Sequence, residues 1–195
     1  MRNHSAGLLA LFIAILGTAC LRNPEKQIGA HDYYDIKGLF DQQNEMLRSE
    51  SPLLLKKVRY GEKFEEKQLR PDSLDWHKEL NMFYDVNPNL AANKTKYQER
   101  YEMRGGDIQL SYFPEDFANA ELKSLQISLN PKDSAIQGLR AILRTKNYLT
   151  KEEVLLEASF DDQRPPMIKG YFIRTGQKVV TKDSSHYSLI GEIVR

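Results

Sequence analysis

TKEEVLLEASF, Thr150 to Phe160, is the stretch on which the fold turns. Two readings compete for it. Thr150 and Glu153 stand at the spacing of a helical capping box, in which each side chain accepts from the other residue's backbone N–H. Read that way, the segment is a capped helix. Val154, Leu156, Ala158 and Phe160, however, alternate with Leu155, Glu157 and Ser159. A period of two puts every second side chain on one face of a strand. Phe160 carries the alternation to a fourth apolar position, and the neighbouring segments alternate too. The segment is therefore expected to be a strand.

Working outward, the same period recurs on both sides. Tyr97, Glu99, Tyr101 and Met103 alternate, and RGGD (Arg104 to Asp107) turns the chain into Ile108, Leu110 and Tyr112. Leu125, Ile127 and Leu129 follow, then a turn at Asn130-Pro131 with Asp133, then Leu139, Ala141 and Leu143. Asp161-Asp162 and Pro165-Pro166 close the Phe160 strand. The last two strands are read as Ile168 to Arg174 and Tyr187 to Val194, on either side of a hairpin around Gly176. Opposite the apolar positions lie Gln126, Ser128, Glu157 and Ser159, the pattern of an antiparallel sheet with one solvated side.

The earlier part of the chain is helical and hairpin-like. Asp32 offers an N-cap with Asp35 three residues on, and Ile36, Leu39, Phe40, Gln43 and Leu47 follow at helical spacing until Ser51-Pro52. Residues 53 to 69 read as a hairpin turning at Gly61-Glu62, because glycine first suits a type II′ turn. A second helix is expected with Asp72 as its cap and Asp75 in its first turn. Trp76, Leu80, Phe83 and Tyr84 would share one face until Asn87-Pro88 ends it. An aromatic stripe at that spacing reads first as core. The expected class is α+β: two amphipathic helices packed on a curved, largely antiparallel meander, with residues 32–195 as a single domain. No internal repeat is evident.

The leader points to export. Arg2 and His4 precede an apolar run from Leu8 to Leu16, too short for the about 20 residues that cross a bilayer. It has the size of a signal-peptide core, and Gly17, Thr18 and Ala19 supply small residues for cleavage, so 1–19 reads as a signal peptide. Cys20, the only cysteine of the 195 residues, follows at once. Leu16-Gly17-Thr18-Ala19-Cys20 resembles the lipobox of bacterial lipoproteins. The leucine lies four residues before the cysteine, where the family normally has it three before. The resemblance covers residues 1 to 20 and implies lipidation of Cys20, with a diacylglycerol on the sulfur and an acyl group on the freed amine. Two or more acyl chains anchor a protein stably. Gly-Thr-Ala also suits an ordinary signal peptidase, which would release a protein beginning with a free thiol. By the family's sorting rule, Leu21 in place of aspartate favours the outer membrane. Residues 20–31 then serve as the lipidated residue and a tether.

Charge narrows the partners. Removing Arg2 from the 28 basic residues leaves 27 against 27 acidic ones in the mature chain. Nucleic-acid binders carry a basic stripe. The nearest approach here, Lys56, Lys57, Arg59, Lys63, Lys67 and Arg70, is interrupted by Glu62, Glu65 and Glu66. A mixed-charge solvated hairpin accounts for it, and no nucleic-acid partner is expected. With no cysteine left for a disulfide, the about 175 mature residues must stand on a hydrophobic core, which that length supplies.

Reactive motifs are scarce. The mature histidines are His31, His77 and His186, without the short spacings of a metal site, so no metal or cofactor is expected. DSSH, with Asp183, Ser185 and His186, holds the residue types of a hydrolase triad. A base oriented between two partners is seldom built from one short turn, and no catalytic residue is assigned. Asp161-Asp162 lacks an EF-hand loop around it, and RGGD lacks the Gly-Lys-Ser/Thr of a phosphate loop. Asn93-Lys94-Thr95 matches an N-glycosylation acceptor. Asp72-Ser73-Leu74 and Asp133-Ser134-Ala135 resemble the O-glycosylation acceptors of some gram-negative lineages.

The sequence thus leads to a membrane-anchored cell-envelope lipoprotein with a non-enzymatic binding or structural role, its partner an envelope protein or glycan. A second reading is a carrier of lipid or another apolar ligand. A curved sheet partly closed by two helices resembles the architecture of periplasmic lipoprotein-carrier proteins, by fold-level analogy alone. A hydrolase comes third.

Overall fold

In the computed structural model, which describes residues 33–90, 97–164, 166–180 and 184–195, Thr150–Phe160 is a strand. The reason is visible at its first residue. Thr150 Oγ1 donates to Asn147 Oδ1 at 2.9 Å, and the same oxygen accepts from the backbone N–H groups of Leu149 and Thr150. The Asn147 side chain builds a hairpin turn and takes the hydroxyl that a helical cap would need. Beyond it Val154, Leu156 and Ala158 face Leu143, Ala141 and Leu139 across the ladder.

Nine strands form one sheet: β1 (Leu53–Tyr60), β2 (Lys63–Leu69), β3 (Tyr97–Arg104), β4 (Asp107–Pro114), β5 (Leu122–Leu129), β6 (Ile136–Lys146), β7 (Thr150–Phe160), β8 (Ile168–Val179) and β9 (Ser185–Val194). Their spatial order is β2-β1-β9-β8-β7-β6-β5-β4-β3, with every neighbouring pair antiparallel. Strands β3 to β9 are the expected meander. The first hairpin joins it at the far side, where β1 pairs with the last strand and sets Leu54 against Ile193 and Val58 against Leu189. Tyr112, Leu125, Ala141, Leu156, Ile173 and Leu189 make one registered row across six strands, all buried.

Helix α1 (Ile36–Glu50) lies against that row's face. Its cap is Asp35, whose Oδ1 accepts from Gly38 N at 2.9 Å, rather than Asp32, which lies outside the described residues. The expected stripe of Ile36, Leu39, Phe40, Gln43 and Leu47 is buried. Gln43 stitches helix to sheet, its Oε1 accepting from Ile168 N at 2.7 Å. Ser51 ends the helix in the left-handed region, φ +50°, with its N–H on Leu47 O, and Pro52 prevents continuation.

The second helix is corrected. Residues 71–84 form a 3₁₀ turn at Pro71–Ser73, a single α turn, α2 (Trp76–Glu79), and another 3₁₀ turn at Asn81–Tyr84. Asp75, not Asp72, is the cap of α2, accepting from Lys78 N. Leu80, at φ −97° and ψ 8°, breaks the run between the two turns. The apolar stripe is nonetheless inside: Trp76, Leu80 and Phe83 are buried, and Phe83 stacks on Phe40 with ring centroids 4.7 Å apart. Burial of those three side chains decides the local backbone over helix propensity. The architecture is accordingly sheet-dominant, with helices a minor part.

Two details of the strands differ from expectation. Gly176 is inside β8, opposite His186, and the last hairpin lies beyond Val179, so both final strands are longer than alternation alone suggests. The solvent face carries ion pairs, Arg140–Glu157 at 2.7 Å, Arg144–Glu153 at 2.6 Å and Lys57–Glu192 at 3.2 Å. Leu155 is an exception on that face, buried between its ladder partners Ile142 and Arg174.

Candidate functional site

Among the described residues, those singled out from sequence do not converge. Ser185 and His186 are consecutive in β9 and project to opposite faces, while Asp183 lies outside the described residues. His77 stacks on Tyr84, ring centroids 5.2 Å apart, and His186 packs over Gly176, where a Cβ would stand 3.4 Å from its Nδ1. Asp161 is taken by arginines, 3.6 Å from Arg164 and 4.0 Å from Arg195, and accepts from Gln163 N. Its carboxyl is held below the usual range by that backbone hydrogen bond first and by the two guanidinium charges after it. RGGD is the β3–β4 turn, with Gly105 and Gly106 at φ +63° and +99°. Cys20, His31 and Asn93 to Thr95 lie outside the described residues. Ser73 and Ser134 are exposed on turns; the Ser73 hydroxyl donates to Arg70 O. Among the described residues, no group of three or more His, Cys, Asp or Glu is placed to hold a metal.

The basic stripe of the first hairpin also disperses. Lys56 and Lys57 point to opposite faces, Lys57 meeting Glu192 outside and Lys56 reaching Glu79 at 2.6 Å inside. Glu79 accepts from the Tyr171 hydroxyl as well. Burial, then the Glu79 charge, pushes the Tyr171 phenol far above its ordinary value. This cluster closes the core beneath α2. Its polar atoms satisfy one another, which is what a structural group requires.

Among the described residues, one open surface is a groove at one end of the sheet. It has a volume of about 1160 Å³ and runs from the loop before β5 (Phe117 to Glu121) past the β6–β7 hairpin to the end of β8 and the start of β9. Its lining takes successive residues of β6 and β7, so it wraps the sheet's end rather than one face. Two of its charges are satisfied within the fold. Arg144 pairs with Glu153, and the Lys123 ammonium donates to the carbonyls of Phe117 and Ala118 while sitting 4.9 Å from the Phe117 ring. Three others form a row. Lys146 stands opposite Lys151, and Lys151 opposite Lys178, so all three share a face of three adjacent strands. All are exposed, and among the described residues none lies within 4.0 Å of a carboxylate. Like charges directly opposed destabilise a sheet. This row is the feature sequence reading missed. Lys146 and Lys151 meet across the short β6–β7 turn, but Lys178 is 27 residues further on, and only register brings it beside them.

No family model matches the sequence, and no curated protein or solved structure matches it either. Among the described residues, no helix is long and apolar enough to cross a membrane. Glu121, Glu152 and Glu153 line the groove beside five lysines and arginines, so it is the exposed Lys146–Lys151–Lys178 row that is suited to meeting anionic groups.

Proposed function

We propose that this chain is a lipid-anchored protein of the bacterial cell envelope, and that its sheet acts as a non-enzymatic binding module facing water. The observation that carries this reading is the leader: an apolar run of signal-peptide length that ends in Leu16-Gly17-Thr18-Ala19-Cys20. Acyl chains on Cys20 would supply the membrane attachment, and Leu21 favours the outer membrane. The partner class is an anionic component of the envelope, protein, glycan or lipid, met at the lysine-lined end of the sheet. An α+β description, with α1 and the short turns of residues 71–84 laid on a curved sheet, is the finer fold reading we keep.

Binding is favoured over carriage of an apolar ligand because the space between helix and sheet is filled. Phe40 and Phe83 are fully buried and stacked there, and Trp76 is buried beside them. The anchor is tested by fractionating cells that make the native chain or the Cys20→Ser variant. The native chain should enter the detergent phase with the membranes, and the variant should escape lipoprotein processing. A native chain found wholly in the soluble fraction overturns the anchor.

A further inference from the structure

We propose that the tip of the β6–β7 hairpin docks into the interface of an anionic phospholipid bilayer, with Tyr148, Leu149 and Val180 entering it and the Lys146–Lys151–Lys178 row held against the headgroups. The three apolar side chains are 97%, 64% and 74% exposed. They form one tip, because Val180 N donates to Leu149 O at 2.9 Å. The tip is held outward. Asn147 Oδ1 accepts from the N–H groups of Leu149 and Thr150, and Asn147 N donates to Thr150 O, so the turn's own hydrogen bonds present its apolar residues outward.

Charge decides the occupant. The lysine row stands directly behind the tip. Of the acids among the described residues that line this end, Glu153 is paired with Arg144 and Glu152 points to the other face from Lys151. Glu121 lies in the loop before β5 with its carbonyl on Arg144 N, further from the tip than the lysines. Tyr148 and Leu149 share the apex, Val180 lies beside Leu149, and the lysines stand behind them, so apolar and aromatic side chains precede the cations as interfacial insertion beneath charged headgroups requires. A soluble protein partner would need about 800 Å² on this side, more than three side chains at a hairpin tip provide. A membrane needs only shallow insertion and counter-charge.

Position agrees. Tyr33, the first described residue, donates through its hydroxyl to Tyr97 O and accepts from Tyr97 N. Along the strands that level is about 10 Å from Lys146, and β3 is three strands, about 14 Å, from β6. The twelve residues 21–32 reach at most about 40 Å, so acyl chains on Cys20 and the hairpin tip can meet one membrane. That last point rests on the lipid-anchor reading; the tip and its lysines do not.

The test uses the chain from residue 20 with Cys20→Ser, which holds every contact described above and carries no acyl group. It is mixed with vesicles of phosphatidylcholine alone or with phosphatidylglycerol. Sedimentation should show binding to the phosphatidylglycerol vesicles, weakening as salt is raised. Each lysine near an anionic surface is worth about fivefold, so Lys146→Gln, Lys151→Gln and Lys178→Gln together should weaken it about a hundredfold. A Tyr148→Trp variant should be quenched by brominated acyl chains, whereas the parent, with Trp76 alone, should not. Circular dichroism of the variants should match the parent. Equal binding to both vesicle types, or no loss in the triple variant, overturns the proposal. So does absence of binding to either vesicle. None of these results depends on whether Cys20 is acylated.

Discussion

The Lys56 ammonium lies 2.6 Å from a Glu79 carboxylate oxygen, joining β1 to α2 under the side chains that close the core. The same carboxylate accepts from the Tyr171 hydroxyl of β8, so one acid ties three elements together. Glu79→Ala would strand a largely buried ammonium and a buried phenol together. Removing one partner of a buried pair costs about 3–5 kcal/mol, and with Lys56 still a quarter exposed a loss of about 2–4 kcal/mol is expected in urea unfolding. Replacing both partners, Lys56→Met with Glu79→Met, should recover more than half of that. A single variant as stable as the parent would show that the cluster holds nothing.

Gly191 makes room for the Tyr171 ring. A Cβ at that position would stand 2.1 Å from Tyr171 Cζ, inside any permissible contact. Gly191→Ala should therefore displace the ring and its hydrogen bond to Glu79, at about 1–3 kcal/mol. Combined with Glu79→Ala, the loss should be less than additive, since both act on one ring. Strict additivity in chemical denaturation would contradict the geometry.

Alkaline pH should unfold the protein through its buried tyrosines. Burial pushes Tyr84 and Tyr97 up to about 12, with Asp41 adding to the effect on Tyr84, and Tyr112 and Tyr171 are raised further. In the unfolded chain a tyrosine ionises near 10. A raised folded-state pKa means that the stabilisation is whole below pH ~10 and is lost as pH climbs through the folded values. The denaturation midpoint should hold up to about pH 10 and fall from there to about 12. Absorbance at 295 nm should show these phenolates appearing only with unfolding. A folded protein at pH 11 with all ten tyrosines ionised would refute this.

Legibility of the fold in the sequence follows a physical line. Alternation from Val154 to Phe160 makes β7 readable, because period two reports which face a side chain occupies. It does not report which strand lies alongside. Hence the pairing of β1 with β9 and the opposition of Lys151 to Lys178 were invisible, both being set by register across distant segments. The stripe Trp76, Leu80 and Phe83 foretells burial correctly, yet the same spacing overstates the helix, since burying those three requires only short turns. Gly176 misled in the opposite way: it lies inside β8, opposite His186, and does not mark the turn. Cys20 lies outside the described residues, and its reading rests on sequence alone.

The central claim, a lipid anchor at Cys20, is met most directly by the mass of the N-terminal peptide of the protein isolated from membranes. The account predicts a peptide beginning at Cys20 and heavier by a diacylglycerol, with a further acyl chain on its amine. A mature peptide beginning at an unmodified Cys20, recovered from the soluble fraction, would contradict it.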